Sequence, residues 1–331
     1  MKLNLGSGGK PLSGYLNFIK NTRDPAVDVI CDMDRYPGNK TVAEIWNPQE
    51  TEMPAPAMAR RIRDTLSYNS WYHAVKALSI KGLPVSKLNI VEVGCGTGTG
   101  SLTFGLLGAS VTLIDSNERV LDQTKKIYER FRCPARFIRT DCLDPLPEGT
   151  EGAFDLALSS GLAEHFTGGY RQRCIDYHRA LLKPGGMAMI GVPNSMSPFY
   201  QWIRGFRILT GTWGPDVEVP FTNRELRALA QQGGFKKYYV LGATSLFRDS
   251  RVYSRGFVSA VADLCPGALR KAARKWKASG EDKAFFPSDP VNYSVELCRA
   301  AQASVEGGRY SEPRRMLANW LSSGLTLVAF R

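Results

Sequence analysis

A short apolar run that ends in three closely spaced glycines constrains this chain more than any other feature. Residues 89–101 read NIVEVGCGTGTGS, so Gly94, Gly96 and Gly98 follow a β-branched stretch and precede a helical one. Glycine lets the backbone turn sharply and approach a ligand closely, and such a turn at the start of a helix is a common ligand site. The segment therefore predicts a strand, a ligand-binding turn and a helix, in that order.

Apolar runs and helical patterns alternate around this loop. The runs predict strands at residues 88–93, 110–114, 135–138, 154–158, 187–192, 235–241 and 325–330. Helical patterns lie at residues 58–80, 101–107, 118–131 and 170–182, and a capping box of Thr222 and Glu225 begins another helix. The alternation predicts an α/β fold with a doubly wound, mostly parallel seven-stranded sheet, whose ligands bind beyond the carboxyl ends of the strands.

The chain divides into a leading segment, a principal domain and two additions. Residues 33–57 are rich in Pro, Asn, Glu and Gly and lack an apolar period, so we place the principal domain at 58–331. Residues 194–220 contain aromatic residues and arginines that suit either a substrate lid or a packing helix with solvated arginines. Residues 244–323 are expected to form a helical insertion, either a cap over the site or a dimer surface.

Composition argues against several classes of protein. No apolar run approaches the roughly 20 residues that span a bilayer, and the first ten residues lack the apolar core of a signal peptide, so we expect a cytoplasmic protein. The seven cysteines form no CxxC pair and no zinc-type spacing with histidine. We therefore expect reduced thiols.

The net charge of +12 raises the question of an anionic partner. The excess is spread along the chain, and its densest stretch is LRKAARKWKASG at residues 269–280. No RRM, KH or zinc-finger signature accompanies it. We favour a solvated helix face over a nucleic-acid patch, while peripheral contact with a membrane stays open. The sequence does not indicate an oligomeric state.

The glycine loop differs from the common phosphate-binding loops. A nicotinamide fingerprint needs a glycine or alanine where Thr99 stands, and the lysine of a P-loop is absent. Residues 91–98, VEVGCGTG, instead resemble the first motif of the class I, Rossmann-like S-adenosylmethionine-dependent methyltransferases. Further motifs of that family follow in order, namely VTLID at 111–115, RTDC at 139–142, FDLALSSGLAEHF at 154–166 and LLKPGGMAMIGVPN at 181–194. The resemblance covers residues 60–243 and the last strand.

The resemblance implies that S-adenosylmethionine is the cofactor and that particular residues hold it. In the family, a carboxylate after the second strand accepts both ribose hydroxyls, which implies Asp115, and the loop after the third strand reads the adenine. The implied cofactor-binding set is Glu92, Gly94, Cys95, Gly96, Gly98, Asp115, Ser116, Asp141, Cys142 and Ser159. Glu92 either contacts the cofactor or organises the loop, and we interpret Cys95 as a small filler rather than a nucleophile.

The implied reaction is an in-line displacement, in which the protein mainly aligns the acceptor with the methyl group. A hydroxyl acceptor gains from a general base, and the catalytic candidate is His165, in GLAEHF after the fourth strand. A histidine at this position also starts a helix in many relatives. Gly161 stands where ubiquinone-type O-methyltransferases carry the first glutamate of a divalent-ion site, so we expect no metal. His73 and His178 are interpreted as core or helix-surface residues.

Missing motifs narrow the acceptor. The fourth strand is followed by SSGL rather than by the [DNS]-P-P-[YFW] motif of enzymes that methylate the amines of DNA bases, and no Pro-Cys pair marks a cytosine C5 enzyme. We therefore expect a small-molecule acceptor with an oxygen or nitrogen nucleophile, aromatic, anionic or lipid-like. A nucleic-acid methyltransferase that uses the basic surface and a non-catalytic relative that only binds S-adenosylmethionine are the alternatives.

The first residues resemble the opening of a second methyltransferase. The segment 1–57 begins MKLNLGSGGK, but Asn4 replaces the acidic residue before the loop, Lys10 the third glycine and Ile19 the ribose carboxylate. Each replacement removes a ligand contact of the family. We predict a degenerate, truncated copy that packs on the main domain without binding the cofactor.

Overall fold

The computed structural model describes residues 54–209, 218–243, 288–308 and 322–331, with the backbone alone for residues 207–209. Residues 1–53 of the degenerate copy, part of the lid region and most of the insertion lie outside the described residues, so the interpretations of these segments stay predictions. Among the described residues, no helix is long and apolar enough to cross a membrane.

The described residues form a seven-stranded sheet in the order β3-β2-β1-β4-β5-β7-β6. The strands are β1 (Asn89–Val93), β2 (Ser110–Asp115), β3 (Ala135–Arg139), β4 (Phe154–Ser160), β5 (Leu182–Pro193), β6 (Lys237–Gly242) and β7 (Gly324–Phe330). The first five run parallel, and β7 lies antiparallel between β5 and β6. The expected doubly wound, mostly parallel sheet is confirmed. Its order reverses between β1 and β4, where open α/β sheets form their ligand crevice.

Helices cover the two faces of this sheet. The described helices are α1 (Ala55–Leu66), α2 (Asn69–Ile80), α3 (Thr99–Gly105), α4 (Glu118–Arg130), α5 (Gly169–Leu181), α6 (Pro198–Leu209), α7 (Asn223–Gln232) and α8 (Pro290–Glu306). Because both faces are covered, the strands read as continuous apolar runs. In β1, Ile90 packs in the core that includes α1–α4, its neighbour Val91 packs in the core that includes α5 and α7, and neither is exposed.

The single helix expected at residues 58–80 is wrong. The chain forms α1 and α2 instead, with a break at residues 67–68. The backbone N–H of Asn69 donates to the carbonyl of Ala243 at 2.9 Å, and its side-chain amide donates to the carbonyl of Gly242 at 3.1 Å. These bonds attach the start of α2 to the end of β6, a long-range contact that an apolar period does not report.

The described part of the insertion, α8, is helical as expected and packs against α1 and α2. The N-cap of α8 is Asp289, whose carboxylate accepts from the N–H groups of Val291 and Asn292. Cys298 of α8 is fully buried in the same core as α1 and α2. This helix therefore belongs to the layer that covers the sheet.

Candidate active site

The glycine loop joins β1 to α3 with three left-handed residues, Gly94, Gly96 and Gly98, at φ values of +61°, +51° and +63°. The N–H of Cys95 donates to the carbonyl of Ile114 at 3.1 Å, which ties the loop to β2. A Cβ added at Gly96 would meet no atom within 4 Å. The backbone of Gly96 therefore borders open space, as expected of a loop that approaches a ligand closely.

Glu92 organises the start of α3. It is 6% exposed, and its carboxylate accepts from the N–H of Ser101 at 2.9 Å and from the Ser101 hydroxyl. A Cβ at Gly100 would lie 2.9 Å from Oε1 of Glu92, so only glycine leaves room for this carboxylate. Burial raises the pKa of Glu92, although the hydrogen bonds from Ser101 and Gly100 lower it in part. The geometry favours the loop-organising role of the two left open by the sequence.

Asp115 lies at the carboxyl end of β2, next to the loop. Its carboxylate accepts from the N–H of Gly96 at 3.2 Å and from the N–H of Asn117 at 3.0 Å. Burial raises the pKa of Asp115, these two bonds lower it, and the charge of Asp141 raises it again. Ser116 follows on the surface. The carboxylates of Asp115, at the end of β2, and of Asp141, just after β3, therefore lie at the same edge of the sheet as the glycine loop.

The loop after β3 is held by its own side chain. Oδ1 of Asp141 accepts from the N–H of Leu143 at 2.8 Å. Cys142 is buried, and its thiol has a raised pKa because of its hydrogen bond with Cys174 and its burial. Burial also raises the pKa of the Cys95 thiol far above its ordinary value, and the negative charges of Asp115 and Glu92 raise it further. Neither Cys95 nor Cys142 is prepared as a nucleophile.

The end of β4 contributes a serine and a short turn. Ser159 is 5% exposed, and its Oγ has no hydrogen-bond partner among the described residues, a rare state for a buried hydroxyl. Gly161 then turns at φ +77°, and a 3₁₀ turn, Ala163–His165, follows. His165 is half-buried, and its backbone N–H donates to the carbonyl of Leu162 at 3.2 Å.

Helix α1 contributes contacts to the glycine loop that sequence reasoning missed. Nη1 of Arg61 donates to Oγ1 of Thr97 at 3.2 Å, and Oγ1 of Thr99 donates to the sulfur of Met58 at 3.7 Å. The stretch ARRIR at residues 59–63 gave no signal of this contact, because arginines on the polar face of an amphipathic helix are usually solvated. Residues that precede the family motif thus help to shape its loop.

The lid region also contains a buried polar group. The hydroxyl of Tyr200 donates to Oε2 of Glu218 at 2.8 Å, and Nη2 of Arg204 donates to the carbonyl of Glu218 at 2.9 Å. Tyr200 and Arg204 are 6% and 5% exposed, so the buried Arg204 does not fit the alternative of a packing helix with solvated arginines. Burial raises the pKa of Tyr200, and the charge of Glu218 raises it further. The carbonyl of Glu218, which lies beyond the end of α6, supplies an acceptor for the buried guanidinium of Arg204.

The other two histidines are core residues, as expected. His178 is fully buried, and its Nδ1 lies 2.7 Å from the carbonyl of Cys174, while His73 is almost as buried. Within the described ranges, no group of three or more histidine, cysteine, aspartate or glutamate side chains has the arrangement of a metal site.

Comparison with known proteins gives the site a family context. The family described as "Methyltransferase domain" matches residues 90–186, from β1 into β5. The "Biotin biosynthesis bifunctional protein BioCD" of Bordetella avium is 31% identical over 169 residues, 48% of this chain and 34% of that protein. The "Ubiquinone biosynthesis O-methyltransferase" of Methylocella silvestris is 25% identical over 182 residues, 53% of this chain and 68% of that protein.

The chain thus spans 34% and 68% of the length of these two relatives. Among solved structures, a "SAM dependent methyltransferase" from Archaeoglobus fulgidus is similar, with 14% identity, 78% of this chain and 94% of that chain covered, and a TM-score of 0.44.

Proposed function

Because this chain carries a class I, Rossmann-like S-adenosylmethionine-dependent methyltransferase domain, we propose that the whole protein methylates a small-molecule acceptor. S-Adenosylmethionine, when bound, would supply a methyl group on a sulfonium, from which the thioether of S-adenosylhomocysteine is a good leaving group. The observation that carries the proposal is the juxtaposition of the open backbone at Gly96 with the carboxylates of Asp115 and Asp141 at the ends of β1, β2 and β3. The remaining work of the protein is binding and alignment.

The residues present fit such a cofactor. Asp115 would accept the ribose hydroxyls, and Asp141 and Cys142 would face the adenine, as the family pattern implies. Two observations on this chain support the fit: a Cβ at Gly96 would enter open space, and the buried hydroxyl of Ser159 has a free hydrogen-bonding capacity. Glu92 would act indirectly, through the loop that it holds.

We assign acceptor binding to the side of the crevice formed after β4 and β5. His165 would take the proton of a hydroxyl acceptor, whereas an amine that is already neutral needs no base. Tyr200, Arg204 and Glu218 pack beyond these strand ends and would form a polar wall behind the acceptor. The relatives named for ubiquinone and biotin biosynthesis support an organic small molecule rather than a macromolecule.

The cofactor assignment can be measured by calorimetric titration with S-adenosylhomocysteine. We expect Asp115→Ala to weaken binding by about tenfold or more, since each lost charged hydrogen bond contributes about 1.5–3 kcal/mol. Asp122→Ala is the matched control, because Asp122 is an exposed carboxylate on the helix that follows β2. If wild type and Asp115→Ala bind S-adenosylhomocysteine with equal affinity, the assignment of the cofactor site to Asp115 is wrong.

Methyl transfer itself can be followed with labelled S-adenosylmethionine and a protein-free metabolite extract. The proposal expects labelled small molecules together with stoichiometric S-adenosylhomocysteine, and less label from Asp115→Ala at a cofactor concentration below saturation. If the protein binds the cofactor tightly but no metabolite becomes labelled, the result would instead favour a protein that binds S-adenosylmethionine without catalysing methyl transfer.

The net charge of +12 supports a second candidate, a nucleic-acid methyltransferase. Binding to RNA or DNA would then fall steeply as the salt concentration rises. Absence of binding near physiological salt would end this candidate. The cytoplasmic location and the peripheral membrane contact stay predictions from the sequence.

A further inference from the structure

Arg171, near the start of α5, is buried and joins separate parts of the chain. Its side chain is 7% exposed, although arginine is rarely buried unless its charge is paired. Nε donates to the carbonyl of Phe166 at 2.7 Å, Nη2 donates to the carbonyl of Val219, and Nη1 forms an ion pair with Glu225. Its three nitrogens therefore reach three different segments.

The ion pair changes the capping box expected at the start of α7. The hydroxyl of Thr222 accepts from the N–H of Glu225 at 3.0 Å, as expected of an N-cap. The carboxylate of Glu225, however, is bonded to Arg171. The glutamate thus serves a contact between α5 and α7, which the local capping pattern does not reveal.

The guanidinium of Arg171 also stacks over Phe221, with 3.7 Å between the guanidinium carbon and the ring centroid. Phe221 is fully buried. Its N–H donates to the carbonyl of Pro193 at 3.0 Å, and its carbonyl accepts from the N–H of Ser195 at 2.9 Å. Arg171 thereby holds the residue that joins segment 218–221 to the end of β5.

Segment 218–221 in turn lies against the turn that carries His165. The N–H of Val219 donates to the carbonyl of Glu164, the residue before His165, at 2.9 Å. Arg171 bonds the other side of this turn directly, at the carbonyl of Phe166. The residues on both sides of His165 are therefore bonded to Arg171 or to a residue that Arg171 holds.

We propose that Arg171 is a positioning residue that fixes the turn of residues 163–166, and with it the imidazole of His165, against segment 218–221. Its effect on methyl transfer rests on the proposed function, whereas its effect on the placement of His165 does not. Lysine cannot replace it, because one ammonium lacks the rigid planar fork that bonds several segments at once.

The three histidines of the chain allow a direct measurement by proton NMR. The imidazole resonance of His165 is assigned with His165→Gln and then recorded in Arg171→Lys and Arg171→Met. His178, seven residues further along α5, serves as an internal reference for the helix. We expect the His165 resonance to move by more than its linewidth in both Arg171 variants, while the His178 resonance stays in place.

Arg227→Met is the matched control, because Arg227 is an exposed arginine of α7 whose Nε donates to Asn223 of the same helix. It should leave all three resonances unchanged. An unmoved His165 resonance in Arg171→Met would overturn the proposal. Displacement of every histidine resonance, or unfolding of Arg171→Lys as well as Arg171→Met, would also overturn it, since the role would then be general stability.

Cofactor binding separates this inference from the proposed function. S-Adenosylhomocysteine affinity of Arg171→Lys should stay within roughly twofold of wild type, because the residues that Arg171 bonds, Phe166, Val219 and Glu225, are not among those assigned to the cofactor. The rate of methyl transfer should fall by about a hundredfold, the cost of a misplacement of about 1 Å. If wild type binds no S-adenosylhomocysteine, the proposed function fails, and the His165 resonance still decides the role of Arg171.

Discussion

The substitutions Gly96→Ala and Gly98→Ala should differ in their main effect. Gly96→Ala should mainly weaken ligand binding, whereas Gly98→Ala should mainly lower stability. Both glycines are left-handed, at φ +51° and +63°. A Cβ at Gly96 would meet no atom within 4 Å, whereas a Cβ at Gly98 would lie 2.8 Å from Thr124 and 2.9 Å from Tyr128. The two substitutions therefore share a backbone strain and differ in the space available.

The magnitudes follow from these distances. A left-handed L-residue costs about 1–2 kcal/mol, part of which is offset because alanine restricts the unfolded chain by about 0.4–1 kcal/mol. Gly96→Ala should therefore lower the free energy of unfolding by roughly 1 kcal/mol. Gly98→Ala adds overpacking of about 1–3 kcal/mol, for a total loss of roughly 2–4 kcal/mol.

Urea unfolding and calorimetric titration with S-adenosylhomocysteine check the two effects separately. Gly96→Ala should weaken binding by about tenfold or more, equivalent to about 1.4 kcal/mol, because the methyl group enters the space left for the ligand. Gly149→Ala is the matched control, since Gly149 is exposed, has φ +73° and also has no atom within 4 Å of an added Cβ. It should lose similar stability and retain full affinity.

Two results would refute this reasoning. Wild-type affinity in Gly96→Ala would mean that the ligand does not lie against this backbone. Equal destabilisation by Gly96→Ala and Gly98→Ala would mean that the contacts of Thr124 and Tyr128 do not limit position 98.

Two further predictions concern titratable groups. The raised pKa of Glu92 means that the folded state holds its proton to higher pH than the unfolded state, so this carboxyl costs stability as pH rises through that interval. As the pH rises from acidic to neutral, the free energy of unfolding of Glu92→Gln, measured with urea, should therefore rise relative to that of wild type. A constant difference between the two proteins over this pH range would contradict the prediction. The described cysteines are all buried, namely Cys95, Cys133, Cys142, Cys174 and Cys298. An aromatic disulfide reagent should modify none of these five in the folded protein and all seven cysteines in denaturant; rapid labelling of any of the five, read by peptide mapping, would contradict their burial.

The sheet and the position of the candidate cofactor site could be predicted from the amino-acid sequence alone. Strands covered on both faces are mostly apolar, so β1, β2 and β4 are recognisable as apolar runs interrupted by few polar residues, among them Glu92 and Asp155. The carboxyl ends of parallel strands share one edge, and this places Asp115 and Asp141 beside the glycine loop without knowledge of any contact. Local pattern and strand direction were sufficient for these features.

The burial of particular polar side chains, and the segments that they bond, could not be predicted from the sequence. An arginine is interpreted as solvated unless its partner is known. The ion-pair partner of Arg171, Glu225, lies 54 residues away, and the carbonyl that binds Arg204, that of Glu218, lies 14 residues away. The break between α1 and α2 likewise depends on bonds from Asn69 to β6, 173 residues further along the chain. Periodicity reports how one element meets the core, whereas the burial of a charge depends on acceptors that distant segments bring to it.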